Sequence, residues 1–148
     1  MKKFRYSMQN ILEIQQNFER QAKNNYAMEL AKLHEEEDKL VKLKAQKAAY
    51  EQETKKKLEK ALNIREIRLT RQAMDHMDDK IREQVLAIHV QNKNVEERRK
   101  CLEEIMIDRK THEKLKEKAF QEYLKEMNAE ESREIDQLVS FLHSQEKE

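Results

Sequence analysis

Apolar side chains recur at seven-residue intervals along most of the chain. Ile81, Ile88, Val95 and Leu102 fall seven apart, and Ile105 and His112 hold the partner position of that heptad. Tyr26, Leu33 and Leu40 repeat the spacing earlier, joined by Leu30 and Leu43. Further back, Phe4, Ile11 and Phe18 form another such series, with Ile14 offset by three. Steps of three and four place side chains on one side of a helix, and a seven-residue repeat winds that side around a partner helix. The N-terminal and central series are one residue out of phase, which predicts a discontinuity near Ala22.

Two such seams in one chain predict a hairpin. Asn63-Ile64-Arg65-Glu66 fits a helix start, because the Asn side chain can accept the amide proton at N3 and Glu at N3 can reach back. Just before it, KKKLEK at 55–60 puts cations where a helix C-terminus favours them. The turn is therefore expected at about 58–63, with Asp75–Asp79 as the alternative nearer the midpoint. The expected architecture is a single coiled-coil hairpin over 1–148, with helix 1 at about 4–58 and helix 2 at about 64–143. Antiparallel pairing about that turn gives facing residues a constant index sum near 121, which sets Leu40 against Ile81, Leu33 against Ile88 and Tyr26 against Val95. Residues 121–148 then outrun the N-terminus, yet they carry Leu124, Met127, Ile135, Leu138, Phe141 and Leu142. A helix with an unpaired apolar stripe is a place for another protein to bind.

Composition narrows the fold class to all-α, a long antiparallel two-helix coiled coil whose second helix is longer and overhangs. The 148 residues include no glycine and no proline, so tight turns and strand ends have no material. Apolar residues at 37% and aromatics at 5% are too few to fill a three-dimensional core. Charged residues reach 41%, which alone would also suit a disordered chain. The net charge of only +1 and the periodic apolar positions favour ordered helices.

Candidate chemistry is sparse, and no catalytic, cofactor-binding or metal-binding residues are assigned. HEEED at 34–38 lacks the second histidine of a zinc-protease motif; His34 and Asp38 share a face without a third ligand, and His76 with Asp75 and Asp79 is no better. Without glycine there is no phosphate-cradling loop, and two helices alone offer no pocket to exclude water around a nucleophile. An enzyme is not expected. The single cysteine, Cys101, cannot form an internal disulfide, which suits a reducing compartment. Residues 93–118 hold nine cations, but seven anions alternate with them. That pattern reads as intrahelical ion pairs rather than the sustained basic surface that nucleic acid requires. The basic start MKKFRYSMQNILEIQQ lacks the apolar core of a signal peptide, and no run suits membrane insertion.

Several stretches resemble the FliJ family of flagellar export stalk proteins. These are Arg109-Lys110 followed by Glu113-Lys114-Leu115, then Glu122-Tyr123, then Glu134-Ile135-Asp136. The opening KKFRYSMQNILEIQQNFE and the polar helix start ALNIREIRL fit as well, so the likeness covers essentially the whole chain. The resemblance implies an antiparallel two-helix coiled coil in the bacterial cytoplasm, similar to the central stalk of rotary ATP synthases. It implies a non-enzymatic part in flagellum biogenesis and motility, coupling ATP hydrolysis to type III protein export without cofactors. The implied partners are the hexameric flagellar export ATPase, the cytoplasmic region of the export gate membrane protein, and export chaperones. The implied location is peripheral at the inner membrane of the flagellar base, as a monomeric hairpin.

Carried over by position, the resemblance gives a gate-facing patch of Lys39, Leu43, Tyr50, Met77 and Lys80. Many members carry an aromatic just before the position of Met77, where this chain has Ala73 and Met74. The ATPase-facing end combines the N-terminal segment with Arg109, Lys110, Lys114, Tyr123, Leu124 and Leu138. Two other readings fit the same seams: the equivalent stalk of a virulence-type secretion system, and a generic coiled-coil scaffold that homodimerises.

Overall fold

The protein is described by a computed structural model covering residues 2–60 and 63–146. It is an all-α helical hairpin. Helix α1 spans Gln9–Leu58 and helix α2 spans Ile64–Glu146, with no strand among the described residues. The expected turn at 58–63 includes Ala61 and Leu62, which lie outside the described residues. On its near side the last turn of α1 tightens, with Lys60 N donating to the Lys57 carbonyl at 3.1 Å. On its far side Asn63 opens α2. Its Oδ1 accepts the Glu66 amide proton at 2.9 Å, and its carbonyl accepts the amide proton of Ile67. An Asn→Ala change at such a cap costs about 1 kcal/mol. Asn63→Ala is therefore expected to lower the melting temperature by about 2–4 °C, read by circular dichroism.

The described residues form two compact units. One joins the first twenty residues to α2 from Glu103 onward, and the other is Gln21–Leu102. In the second unit Leu33 is buried, while Tyr26, Leu40, Ile81, Ile88 and Val95 are half-buried. The layers between these residues are polar. Gln84 Nε2 donates to the backbone carbonyl of Glu36 at 2.7 Å and to its carboxylate at 2.6 Å. Seven residues on, Gln91 Nε2 donates to the Glu29 carbonyl at 2.8 Å and to its carboxylate at 2.6 Å. The residue numbers of both pairs sum to 120, so two identical clamps hold one register. A buried amide left without its acceptor costs more than a typical hydrogen bond yields, so such clamps penalise a register slip.

In the first unit the N-terminal seam differs from the expected one. Leu12 is 2% exposed and Glu19 7%, whereas Ile11, Ile14 and Phe18 are 40–50% exposed. Leu12, Glu19, Tyr26, Leu33, Leu40 and Lys47 form one series seven apart, each buried or half-buried, so the phase break expected near Ala22 does not occur. The physical reason is Glu19. Its carboxylate forms an ion pair with Arg109 of α2, which puts a charged residue at a seam position. Ile11 and Phe18, each one residue before a seam position, imitate a heptad of their own.

The chain before α1 is not helical at residues 2–6, although a helix was expected from about residue 4. There Phe4 packs edge-on to Phe120 with ring centroids 5.2 Å apart, and against Tyr123 at 5.5 Å. Tyr123 Oη donates a hydrogen bond to the Lys2 carbonyl. A non-helical residue can advance more than twice the roughly 1.5 Å of a helical one, so this short segment reaches further along α2 than a helix would. Half-burial on α2 consequently continues through Tyr123, Leu124 and Met127 to Ala129, and the uncovered stretch begins at Glu130 rather than at 121.

Candidate functional site

Two groups of residues are candidates for partner contact, one in each unit. In the unit of Gln21–Leu102, Lys39, Leu43, Lys47 and Tyr50 follow one another at steps of four, four and three, a single stripe of α1. Met77 and Lys80 are three apart on α2. Leu43, Tyr50 and Met77 are half-buried, and Lys39 and Lys80 are exposed. Within the patch Lys47 Nζ lies 2.5 Å from Asp78 Oδ1, tying the helices together beside Met77. The hydrogen bond from Lys47 to Asp78 raises the lysine pKa above its usual value, and the neighbouring charges of Asp78 and Glu51 add to this. One heptad and a half away, the hydrogen bond from Gln84 holds the Glu36 carboxyl below its usual pKa, helped by Lys39 at 3.4 Å. The patch thus has an apolar middle, cations at its margin and a polar frame already paired.

The second group lies in the other unit. Arg109 is half-buried between Glu19 and Glu113, with Nη1 2.8 Å from Glu113 Oε1. The hydrogen bond with Glu113, then the charges of Glu113 and Glu19, raise its pKa further above the ordinary arginine value. Tyr123 is half-buried beneath Phe4 and stacks on Phe120 at 6.2 Å. Arg109 and Tyr123 are therefore occupied in seating the N-terminal segment and α1 on α2. Lys110 and Lys114 are exposed one helical turn apart, and Leu124 is half-buried.

Beyond these lies the most accessible apolar surface of the unit. Ile135, Leu138, Val139 and Leu142 stand at i, i+3, i+4 and i+7, each 58–61% exposed, with Phe141 beside them at 57%. This is the anchor pattern by which an amphipathic helix enters a hydrophobic groove. Val139 was absent from the sequence-derived set, although its spacing from Ile135 could have found it. Phe4 and Phe120 were likewise missed as a pair, and their index sum of 124, close to the expected hairpin register, was the available signal.

His34 Nδ1 is 3.6 Å from Glu37 Oε2, and Cys101 is exposed. Among the described residues no group of three or more His, Cys, Asp or Glu could hold a metal ion, and no helix is long and apolar enough to cross a membrane.

The profile of the family described as "Flagellar FliJ protein" matches residues 4–148. The "Flagellar FliJ protein" of Bacillus subtilis (strain 168) is 24% identical over 135 residues, covering 91% of this chain and 92% of the relative. A solved structure described as that of a YscO homolog from Chlamydia trachomatis shares the fold with a TM-score of 0.60, covering 98% of both chains at 19% identity. With a profile match running from residue 4 to residue 148, the chain belongs to the flagellar FliJ protein family.

Proposed function

We propose that this protein is the central stalk of the flagellar protein export apparatus. In this reading the unit containing the N-terminal segment and the end of α2 docks in the hexameric export ATPase. The patch of Lys39, Leu43, Tyr50, Met77 and Lys80 meets the cytoplasmic region of the export gate protein. The hairpin acts as a monomer in the cytoplasm, peripheral to the inner membrane, couples ATP hydrolysis to export, and assists export chaperones. Family membership makes the flagellar system the favoured setting over a virulence-type one.

The observation that carries the reading is the exposed stripe of Ile135, Leu138, Val139 and Leu142 at the end of α2. It is an apolar surface exposed among the described residues, and it lies on the same helix as Lys110 and Lys114. Charged contacts at exposed sites contribute about 1 kcal/mol or less each. A stalk held mainly by such contacts can turn among equivalent subunits without one orientation becoming a trap. Lys110 and Lys114 are better probes of this than Arg109, whose reversal would set three carboxylates together and disturb the hairpin itself. Lys110→Glu with Lys114→Glu is expected to leave helicity unchanged and to weaken ATPase binding about fivefold to thirtyfold, corresponding to roughly 1–2 kcal/mol for two exposed charges. Unchanged binding and stimulation by the double variant would remove the electrostatic part of this reading.

A further inference from the structure

At the turn end of the hairpin, charge and apolar surface coincide in a way the export reading does not use. Residues 55–71 hold seven cations, Lys55, Lys56, Lys57, Lys60, Arg65, Arg68 and Arg71, against Glu59 and Glu66 alone. That segment carries +5 in a chain whose total is +1, so the remainder carries −4. All seven cations are exposed, and among the described residues no ion pair engages any of them. Between them stand aliphatic side chains with large exposed fractions: Leu58 56%, Ile64 73%, Ile67 47% and Leu69 58%.

The arrangement discriminates among partners. From Ile64 the i+3 position is Ile67, but i+4 and i+7 are Arg68 and Arg71, so the helix-in-groove anchor pattern is interrupted by charge. At 100° per residue, Ile64, Arg65, Arg68 and Arg71 share an arc of about 120° on α2, cations and an aliphatic on one outward side. No aromatic lies between 55 and 71, so there is no platform on which unstacked bases could lie. Aliphatics that can enter a soft apolar layer, ringed by long cationic side chains that snorkel to its boundary, match an anionic lipid surface.

We propose that the turn end of this hairpin is a docking surface for anionic lipid bilayers. Lys55, Lys56, Lys57, Arg65 and Arg68 meet lipid phosphates, while Ile64 and Leu58 enter the headgroup–acyl boundary. Such contact is peripheral. It does not depend on the stalk reading, since none of the export partners takes part, so either can fail without the other.

The test is co-sedimentation of the full chain with vesicles. Binding is expected to phosphatidylcholine vesicles containing about 30% phosphatidylglycerol, little to pure phosphatidylcholine, and release by about 0.5 M salt. Each cation near an anionic surface contributes about a fivefold gain in partitioning. The variant carrying Lys56→Gln, Lys57→Gln, Arg65→Gln and Arg68→Gln is thus expected to partition at least about a hundredfold more weakly. Ile64→Ser, at a site too exposed to affect folding, is expected to reduce partitioning severalfold, and circular dichroism checks that both variants keep their helices. Absence of binding to the anionic vesicles, equal binding to neutral ones, or undiminished binding by the four-site variant would overturn the proposal. Retention of poly(U) RNA without vesicle binding would overturn it in favour of nucleic acid.

Discussion

Truncation after Glu130 is expected to abolish stimulation of the export ATPase while leaving the hairpin as stable as before. Every described residue from 130 to 146 is exposed, so the segment supplies no cross-helix burial whose loss would be felt. As the proposed docking surface, the same exposed segment is expected to be costly to lose. Five large apolar side chains, Ile135, Leu138, Val139, Phe141 and Leu142, stand 57–61% exposed and gain by burial in a partner. Removing an anchor cluster of this kind typically costs at least about 2 kcal/mol of binding, or roughly thirtyfold in affinity. Paired measurements of melting temperature and ATPase affinity on the truncated chain separate the two effects. A fall in both would mean that the segment also supports the fold.

The second large effect is on stability. Leu12→Ala is expected to destabilise the hairpin by about 2–3 kcal/mol, the lower part of the range for buried leucines, because a two-helix seam is open at both sides and can partly close over the gap. Only Leu12, Ala22 and Leu33 are buried apolar residues among those described, so little else compensates. Domains with total stabilities of about 5–15 kcal/mol lose a large fraction to such a change. Thermal or denaturant unfolding should show a midpoint lowered by about 4–12 °C or its equivalent. The matching change at Ile11, one residue earlier and 40% exposed, should cost less than half as much. Equal effects at Leu12 and Ile11 would contradict the seam assignment.

That pair of positions also marks where sequence reading succeeds and where it stops. At Tyr26, Leu33 and Leu40, and at Ile81, Ile88 and Val95, one seam position of each heptad is apolar, so periodicity alone displays it. At Glu19 the seam residue is charged, and what makes its burial tolerable is Arg109, ninety residues later in the chain. Nothing local in the sequence announces that partnership, while Ile11 and Phe18 offer a false series one position away. The non-helical start was hidden for a similar reason. Residues 2–6 have no strong helix breaker, and it is the packing of Phe4 on Phe120 and Tyr123 that holds them along α2.

The candidate surfaces show the same division. The apolar overhang was visible as a stripe without a pairing partner, and its spacing alone suggested a docking helix. The roles of Arg109 and Tyr123 inside the chain were not visible, since a cation and an aromatic in a charged stretch look alike whether they face a partner or their own N-terminus. Glu29 and Glu36 each lie half-buried under a glutamine of α2. Polar side chains at seam positions carry no apolar signature, so only the folded register reveals them.

The proposed role of this hairpin as the stalk of an export ATPase is tested most directly by adding the purified full-length chain to a purified flagellar export ATPase and measuring hexamer formation and ATP turnover together. Turnover is expected to rise and hexamers to accumulate, saturating near one hairpin per ring, with both effects lost on truncation after Glu130. Unchanged turnover and unchanged assembly at saturating hairpin would contradict it.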